Sequence, residues 1–312
     1  MTGLRRKLSS PSALFIFEAA ARYENFTSAA NELNITQPAV SRALATLESH
    51  IGSKLFLRGK PGVRLTENGK LLRNAVISAF SEIERALNEI EERRTGKTQV
   101  TLSVSTAFTT HWLMPRITRF QSTFPNVDLR FQLIPGPVTG ELGDVDIAMR
   151  YGAPGKTPGR FVMQEAYVPV CAPGYYDDTA REDATLILLE SDIPGDPQWT
   201  PLDSGQPYRN KLTFSDYSVV VQAALVGQGV ALGWLNIVAH WMGQGRLVPA
   251  SSTVMLPGRE CRLQLRQEEG RSPVVSDVAD WLLQELHADL SAISASHPEL
   301  ALDSIMKPGN AT

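Results

Sequence analysis

No run of apolar residues in this 312-residue chain reaches the length needed to cross a bilayer. Met1–Pro11 is polar and basic, and Leu14–Ala21 is short, amphipathic and interrupted by Glu18, so no secretory signal is read there. Residence in the cytoplasm is the expectation. Cysteine is scarce: Cys171 and Cys261 each sit in a strand-like apolar run and read as reduced, buried thiols. The five histidines, His50, His111, His240, His287 and His297, are scattered and lack a metal-ligand spacing such as His-x-x-x-His. Neither Gly-x-Ser-x-Gly nor a P-loop occurs, and Gly227-Gln228-Gly229 and Gly243-Gln244-Gly245 are too short for a dinucleotide fingerprint. An enzyme is therefore disfavoured, and no catalytic residue, metal site or cofactor is expected.

What the chain has is an uneven charge. Residues 1–75 carry eleven Lys and Arg against five acids, a balance of +6, while the remainder carries nineteen against twenty-eight, a balance of −9. A basic head on an acidic body is an electrostatic footprint for phosphate.

The basic head has a helical pattern. In the stretch Asn34–Gly52, Thr36 is a good N-cap, Pro38 is tolerated in a first turn, and Gly52 suits a helix end, which predicts a helix from Gln37 to about Ile51. Val40, Leu44, Leu47 and Ile51 form its apolar stripe. Pro38, Ser41, Arg42 and Ala45 fall on the opposite face, which is small, polar and basic. Ser9-Ser10-Pro11 opens an earlier helix lined by Leu14, Phe17 and Ala21, and Asn25-Phe26-Thr27 opens a short one through Leu33. Two short helices joined by a tight turn match helix-turn-helix geometry, in which small residues let the second helix enter the major groove. Lys54–Thr66, broken by Gly59, Pro61 and Gly62, reads as a hairpin wing bearing Arg58, Lys60 and Arg64.

Phe26-Thr27-x-Ala29-Ala30, Leu33, Thr36-Gln37-Pro38-Ala39-Val40-Ser41-Arg42, Leu47-Glu48, Gly52, Leu55-Phe56, Arg58, Leu65-Thr66 and Gly69 together resemble the DNA-binding signature of LysR-type transcriptional regulators. One departure stands at Pro61, where family members often carry another Arg. The resemblance implies a winged helix-turn-helix domain over residues 1–65, with Thr27, Thr36, Gln37, Pro38, Ser41, Arg42, Arg58, Lys60 and Arg64 at double-stranded DNA. Beyond Thr66, Leu72, Val76, Ala79, Ile83, Ala86 and Ile90 alternate by four and three. That spacing suits a coiled-coil seam, although a helix packing on its own domain gives similar periodicity. The resemblance favours a dimerisation linker over 66–97, a homodimer or homotetramer, and a pseudo-palindromic promoter site.

From residue 98 the character changes. Strands are expected at Val100–Val104, Val127–Leu133, Asp146–Met149, Val168–Cys171, Leu186–Leu189, Leu212–Phe214, Val230–Trp234 and Arg262–Leu265. Helices are expected at His111–Phe124, Tyr217–Gly227 and Val275–His287, which argues for an α/β fold with mainly parallel sheets. The resemblance implies a two-lobed domain like a type 2 periplasmic binding protein, with one lobe from 98–162 plus 268–290 and the other from 163–267. The chain then crosses near Arg160–Glu165 and near Arg266–Gly270. DVDIAMRYG (Asp144–Gly152) and GQGVALGW (Gly227–Trp234) look like segments of the glycine-cleavage-activator-like branch. Residues 291–312 read as a loosely held extension. A free-standing solute-binding protein is disfavoured because no signal is read.

A small, anionic effector is expected where strands run into helices. Ser105, Thr106 and Thr109 crowd the first such junction and Ser215 opens the second. Arg150 offers a cation, and Pro135-Gly136-Pro137 rims the same edge. Two ordinary alternatives stand beside this reading: a plain N-cap, which needs only Thr109 or Thr110, and an ion pair for Arg150.

Overall fold

The computed structural model describes residues 8, 10–59, 62–134, 145–177, 183–190, 208, 210–266 and 273–308. Ser9, Lys60, Pro61 and the Pro135-Gly136-Pro137 rim lie outside the described residues. The chain divides into two units, Met1–Arg94 and Thr95–Thr312.

In the first unit, short polar residues set where helices begin. Ser10 Oγ accepts from Ala13 N–H at the start of α1 (Ser12–Tyr23). Asn25 Oδ1 accepts from the N–H groups of Thr27 and Ser28 to open α2 (Phe26–Glu32). Thr36 precedes α3 (Gln37–Ile51) in an extended conformation, with Pro38 in the first turn. Its hydroxyl makes no capping bond, contrary to expectation, so the backbone turn alone starts the helix. At the other end Gly52 adopts φ 74°, the left-handed conformation that closes a helix. Two strands, β1 (Phe56–Gly59) and β2 (Gly62–Leu65), pair antiparallel as the wing. The core joins Phe17, Phe26, Val40, Leu44, Leu47, Phe56 and Leu65, with Phe56 edge-on to Phe26 at 5.4 Å. Ile51, expected in the buried stripe, is exposed because the helix outruns the small core there.

Helix α4 (Glu67–Thr95) begins as expected: Thr66 Oγ1 accepts from Gly69 N–H. Its apolar stripe is divided. Leu72, Val76 and Phe80 pack on the unit's own core, whereas Ile83, Leu87 and Ile90 are exposed at 57%, 59% and 62%. The self-packing alternative thus holds for the first half of the seam.

The second unit contains two five-stranded sheets. The first has the order β4-β3-β5-β12-β6 and the second β11-β7-β10-β8-β9. Their strands are β3 (Thr98–Ser105), β4 (Val127–Ile134), β5 (Ile147–Gly152), β6 (Arg160–Gln164), β7 (Tyr167–Cys171), β8 (Thr185–Leu189), β9 (Asn210–Phe214), β10 (Val230–Trp234), β11 (Val248–Pro249) and β12 (Glu260–Leu265). Pairings of β3 with β4 and β5, and of β8 with β9 and β10, are parallel; those of β12 with β5 and β6, and of β7 with β10 and β11, are antiparallel. The sheets are therefore mixed rather than mainly parallel.

The reason lies in the crossings. The first passes between β6 and β7 at Glu165-Ala166, as expected. The second lies between Met255 and Glu260, not near Arg266–Gly270: Met255 still bridges Tyr167 of the second lobe, while β12 already pairs with β5 and β6 of the first. A strand pattern at Arg262–Leu265 does not reveal which sheet receives it.

After β3 the helical path is irregular. An α turn (Thr106–Phe108), a π turn (Thr109–Leu113) and a 3-10 turn (Met114–Arg116) lead into α5 (Ile117–Thr123). The second lobe adds α6 (Tyr217–Leu225) and α7 (Leu235–Gly243), and α8 (Val274–Ser296) follows β12. The expected loose extension is corrected for its described residues. α8 continues to Ser296, Leu300, Leu302 and Ile305 are buried, and Gln164 N–H donates to Ile305 O at 2.7 Å. Apolar side chains separated by turns pack without the periodicity that a sequence pattern needs.

Candidate functional site

On the head, Thr27, Thr36, Gln37, Pro38, Arg42 and Arg64 are exposed and Ser41 is half-buried. Arg58 lies in β1. The cations of this unit have different surroundings. Arg22 is claimed by Glu18 and Glu32, and Lys54 by Glu48. Arg42 meets no carboxylate among the described residues; its Nε donates to Pro38 O, one turn back, at 3.3 Å. The outward face of α3 therefore presents a guanidinium with no carboxylate partner among the described residues, beside small residues. A ligand with phosphates spaced along a groove suits that surface.

Glu48, on the inner side of α3, is buried. Its Oε1 accepts from Leu55 N–H at 2.9 Å and Phe56 N–H at 3.2 Å, and its Oε2 from Lys54 Nζ at 2.7 Å. Burial alone would raise this carboxyl, but Lys54 and the two backbone donors together hold it below its ordinary value.

In the second unit, Ser105 Oγ accepts from Phe108 N–H at 3.1 Å, and Thr109 Oγ1 donates to Ser105 O at 3.1 Å. Two of the three crowded hydroxyls are thus engaged locally, but Ser105, rather than Thr109 or Thr110, is the cap. Thr106 is half-buried between them. The turn Thr106–Phe108 packs against α6, so the two strand-to-helix junctions are neighbours. Ser215 is exposed, and Asp216 supplies the cap of α6 by accepting from Ser218 N–H at 2.7 Å. A carboxylate already fills the anion-favouring end of α6.

Arg150 behaves unlike an ordinary ion pair. It is 3% exposed. On β5 it stands two residues beyond Ala148, which faces Ser103 of the neighbouring strand β3. Nη1 donates to Met149 O at 3.0 Å and Ser103 O at 3.3 Å, and Nη2 to Ser103 Oγ at 3.0 Å. Its Nε has no partner, and no carboxylate pairs with it among the described residues. Burial accordingly lowers the pKa of this guanidinium.

Residues 11–70 match the family model of the bacterial regulatory helix-turn-helix protein, lysR family, and residues 93–287 match the LysR substrate binding domain. The chain belongs to the LysR family. The glycine cleavage system transcriptional activator of Escherichia coli strain K12 is 32% identical to this regulator over 297 residues, covering 92% of the chain and 97% of the relative. The HTH-type transcriptional activator AmpR of Rhodobacter capsulatus is 32% identical over 255 residues, covering 80% and 88%. The crystal structure of ArgP from Mycobacterium tuberculosis shares the fold, with TM-score 0.52 at 18% identity over 89% of this chain and 97% of that one. The chain is thus a LysR-type transcriptional regulator, with a DNA-binding head and an effector-binding domain. No helix among the described residues is long and apolar enough to cross a membrane, and no cluster there could hold a metal ion.

Three sets of polar contacts, one at the crossings and two between the regulator's lobes, had no signal in the sequence. Glu165, 1% exposed at the first crossing, accepts from Tyr167 Oη at 2.7 Å, Trp234 Nε1 at 2.9 Å and Arg259 of the second crossing at 2.5 Å and 2.9 Å. Asn236 of α7 donates to Tyr151 Oη of β5 at 2.7 Å. His111 Nδ1 accepts from Trp241 Nε1 at 3.2 Å, and its Nε2 faces Ser218 O at 2.9 Å. An indole N–H can only donate, so the imidazole is neutral and its proton sits on Nε2. Single polar residues inside apolar runs look like noise until the partner strand is known. The thiols fit their expectation: both are buried, and burial pushes the Cys171 thiol up to about 11.

Proposed function

We propose that this regulator works in the cytoplasm as a homo-oligomer on a pseudo-palindromic promoter site. Thr27, Thr36, Gln37, Pro38, Ser41 and Arg42 face the major groove, and Arg58, Lys60 and Arg64 of the wing face the flanking backbone. The exposed stripe Ile83, Leu87 and Ile90 meets a second chain, so that two heads read two half-sites. Its DNA affinity is set by a small anionic effector held by Ser105, Thr106, Thr109 and Arg150, with Ser215 at the rim.

The observation that carries the effector reading is the buried guanidinium of Arg150, which meets no carboxylate among the described residues. A buried charge without a counter-ion is costly, and a bound anion offsets that cost. Arginine has five N–H donors, and Ser103 and Met149 occupy three of them. The two left among the described residues, on Nε and Nη2, suit the parallel fork that a carboxylate accepts bidentately.

Thermal unfolding against a panel of monocarboxylates, dicarboxylates, amino acids and inorganic phosphate tests this. A ligand at a hundred times its Kd adds about 2.7 kcal/mol, which is a rise of roughly 5–10 °C for a unit of this size. Arg150→Lys keeps the charge and removes the fork, so the carboxylate-induced rise should vanish while DNA binding without ligand persists. If no carboxylate raises the melting temperature of the parent chain, or if Arg150→Lys responds like the parent, Arg150 is not the anchor.

A further inference from the structure

The head must approach a polyanion, yet its recognition helix retains a carboxylate. Glu48 lies two turns beyond Arg42 on α3 and is 8% exposed. Among the described residues, every hydrogen bond it accepts comes from one short segment: Lys54 Nζ, Leu55 N–H and Phe56 N–H. That segment is the entry to β1, the first strand of the wing. The start of α4 grips the same residues from the other side. Thr66 N–H donates to Leu55 O at 2.9 Å, Thr66 Oγ1 to Lys54 O at 2.8 Å, and Asn68 Nδ2 to Ser53 Oγ at 2.7 Å. Gly69 lies so close that a Cβ there would stand 2.2 Å from Leu55 O. The base of the wing is therefore held between the recognition helix and the linker helix, and on the recognition-helix side Glu48 is the polar clamp.

We infer that Glu48 is a positioning residue for DNA recognition: its carboxylate fixes the base of the wing against α3, so that helix and wing meet one duplex in a single register. The cost of a negative charge near DNA is offset because both oxygens point inward and accept three donors. A wing without this clamp hangs on β2 and on the linker helix alone. It then samples orientations that α3 does not share, and ordering it on DNA costs entropy at every encounter. This inference rests on the reading that α3 and the wing both face DNA.

Two variants of the full-length chain separate the clamp from simple charge. Glu48→Asp keeps the charge but withdraws the carboxylate by one methylene from the N–H groups of Leu55 and Phe56. Glu48→Gln keeps the length and an acceptor oxygen but drops the charge. The probe is a duplex selected by the parent chain from a randomised pool, read by hydroxyl-radical footprinting at fixed salt. Glu48→Asp should keep protection over the central half-site, lose it over the flanks where the wing sits, and bind about tenfold more weakly, a factor typical of leaving buried donors unpaired. Its salt dependence should be shallower by about one for each phosphate that the wing no longer touches. Glu48→Gln should keep the parent footprint. Flank protection retained in Glu48→Asp overturns the inference, and so does uniform loss of all protection, whether from weak binding or from an unfolded head. A charge effect would instead spare Asp and alter Gln. If the parent chain itself never protects the flanks, the wing reading fails, and this inference with it.

Discussion

Arg22 and Arg42 carry the same charge on the same small head and have different surroundings. Arg22 is bound by two carboxylates, which lift its pKa further above its ordinary range, with Glu18 the largest contributor. Arg42 leans on its own helix backbone and keeps its charge for whatever approaches. Surface ion pairs contribute little to stability, so losing the Arg22 pairs should change folding only slightly. Removing Arg42 should change recognition. Arg42→Ala should cost about 1–3 kcal/mol and relax preference at one position if the side chain reads a base; if it touches phosphate, all sequences weaken alike and the salt slope falls by about one. A gel-shift titration against matched and single-mismatch duplexes distinguishes these outcomes, and unchanged affinity would remove Arg42 from the interface.

At the level of elements, α4 does two jobs along one stripe. Its first half completes the head's core through Leu72, Val76 and Phe80, and its second half leaves Ile83, Leu87 and Ile90 uncovered. Ile83→Glu puts a charge where a second chain would pack, without disturbing the head. Light scattering should then show smaller particles, and binding to a full pseudo-palindrome should drop toward that of a half-site; an intact oligomer with normal affinity would place the interface elsewhere. Elements are legible in the sequence where caps and period agree. Thr36, Pro38 and Gly52 bound α3 at Gln37–Ile51, and Thr66 marks the start of α4. Legibility fails where long-range pairing decides. Arg262–Leu265 reads correctly as a strand but falls in the wrong lobe, because one strand pattern pairs equally well with either sheet. α7 escapes notice because residues 235–243 are buried on nearly every face and show no amphipathic stripe. In the candidate site, Arg150 is visible as a cation after a strand, whereas the lack of a carboxylate partner among the described residues is a fact of three dimensions. Glu165, Glu48 and His111 are silent for the same reason: their partners lie far away in sequence or across a turn.

For the molecule as a whole, one of the polar contacts between the lobes of the effector unit, that of His111, depends on protonation. Burial lowers the pKa of His111, with the Ser218 carbonyl and the Asp216 carboxylate acting weakly against it. The unfolded chain therefore takes up the proton more readily than the folded one. The stability contributed by neutral His111 is complete above about pH 6.5 and is lost as pH falls below it. His240 on α7, also lowered by burial and by Arg116, adds in the same direction. His111→Gln should keep an acceptor for Trp241 and a donor for Ser218 while flattening this dependence. Melting temperatures of parent and variant between pH 7.5 and 5 provide the comparison; equal slopes would mean that His111 does not report the lobe contact. The length of α4 has a mechanical consequence. Its 29 residues run without an internal proline, so at 1.5 Å per residue it is a rod of about 43 Å. Tilting such a rod by about 5° sweeps its tip through roughly 4 Å, close to the 3.4 Å step between base pairs. A lever of that reach turns a barely visible change of angle at one end into a whole-rung change of register at the other.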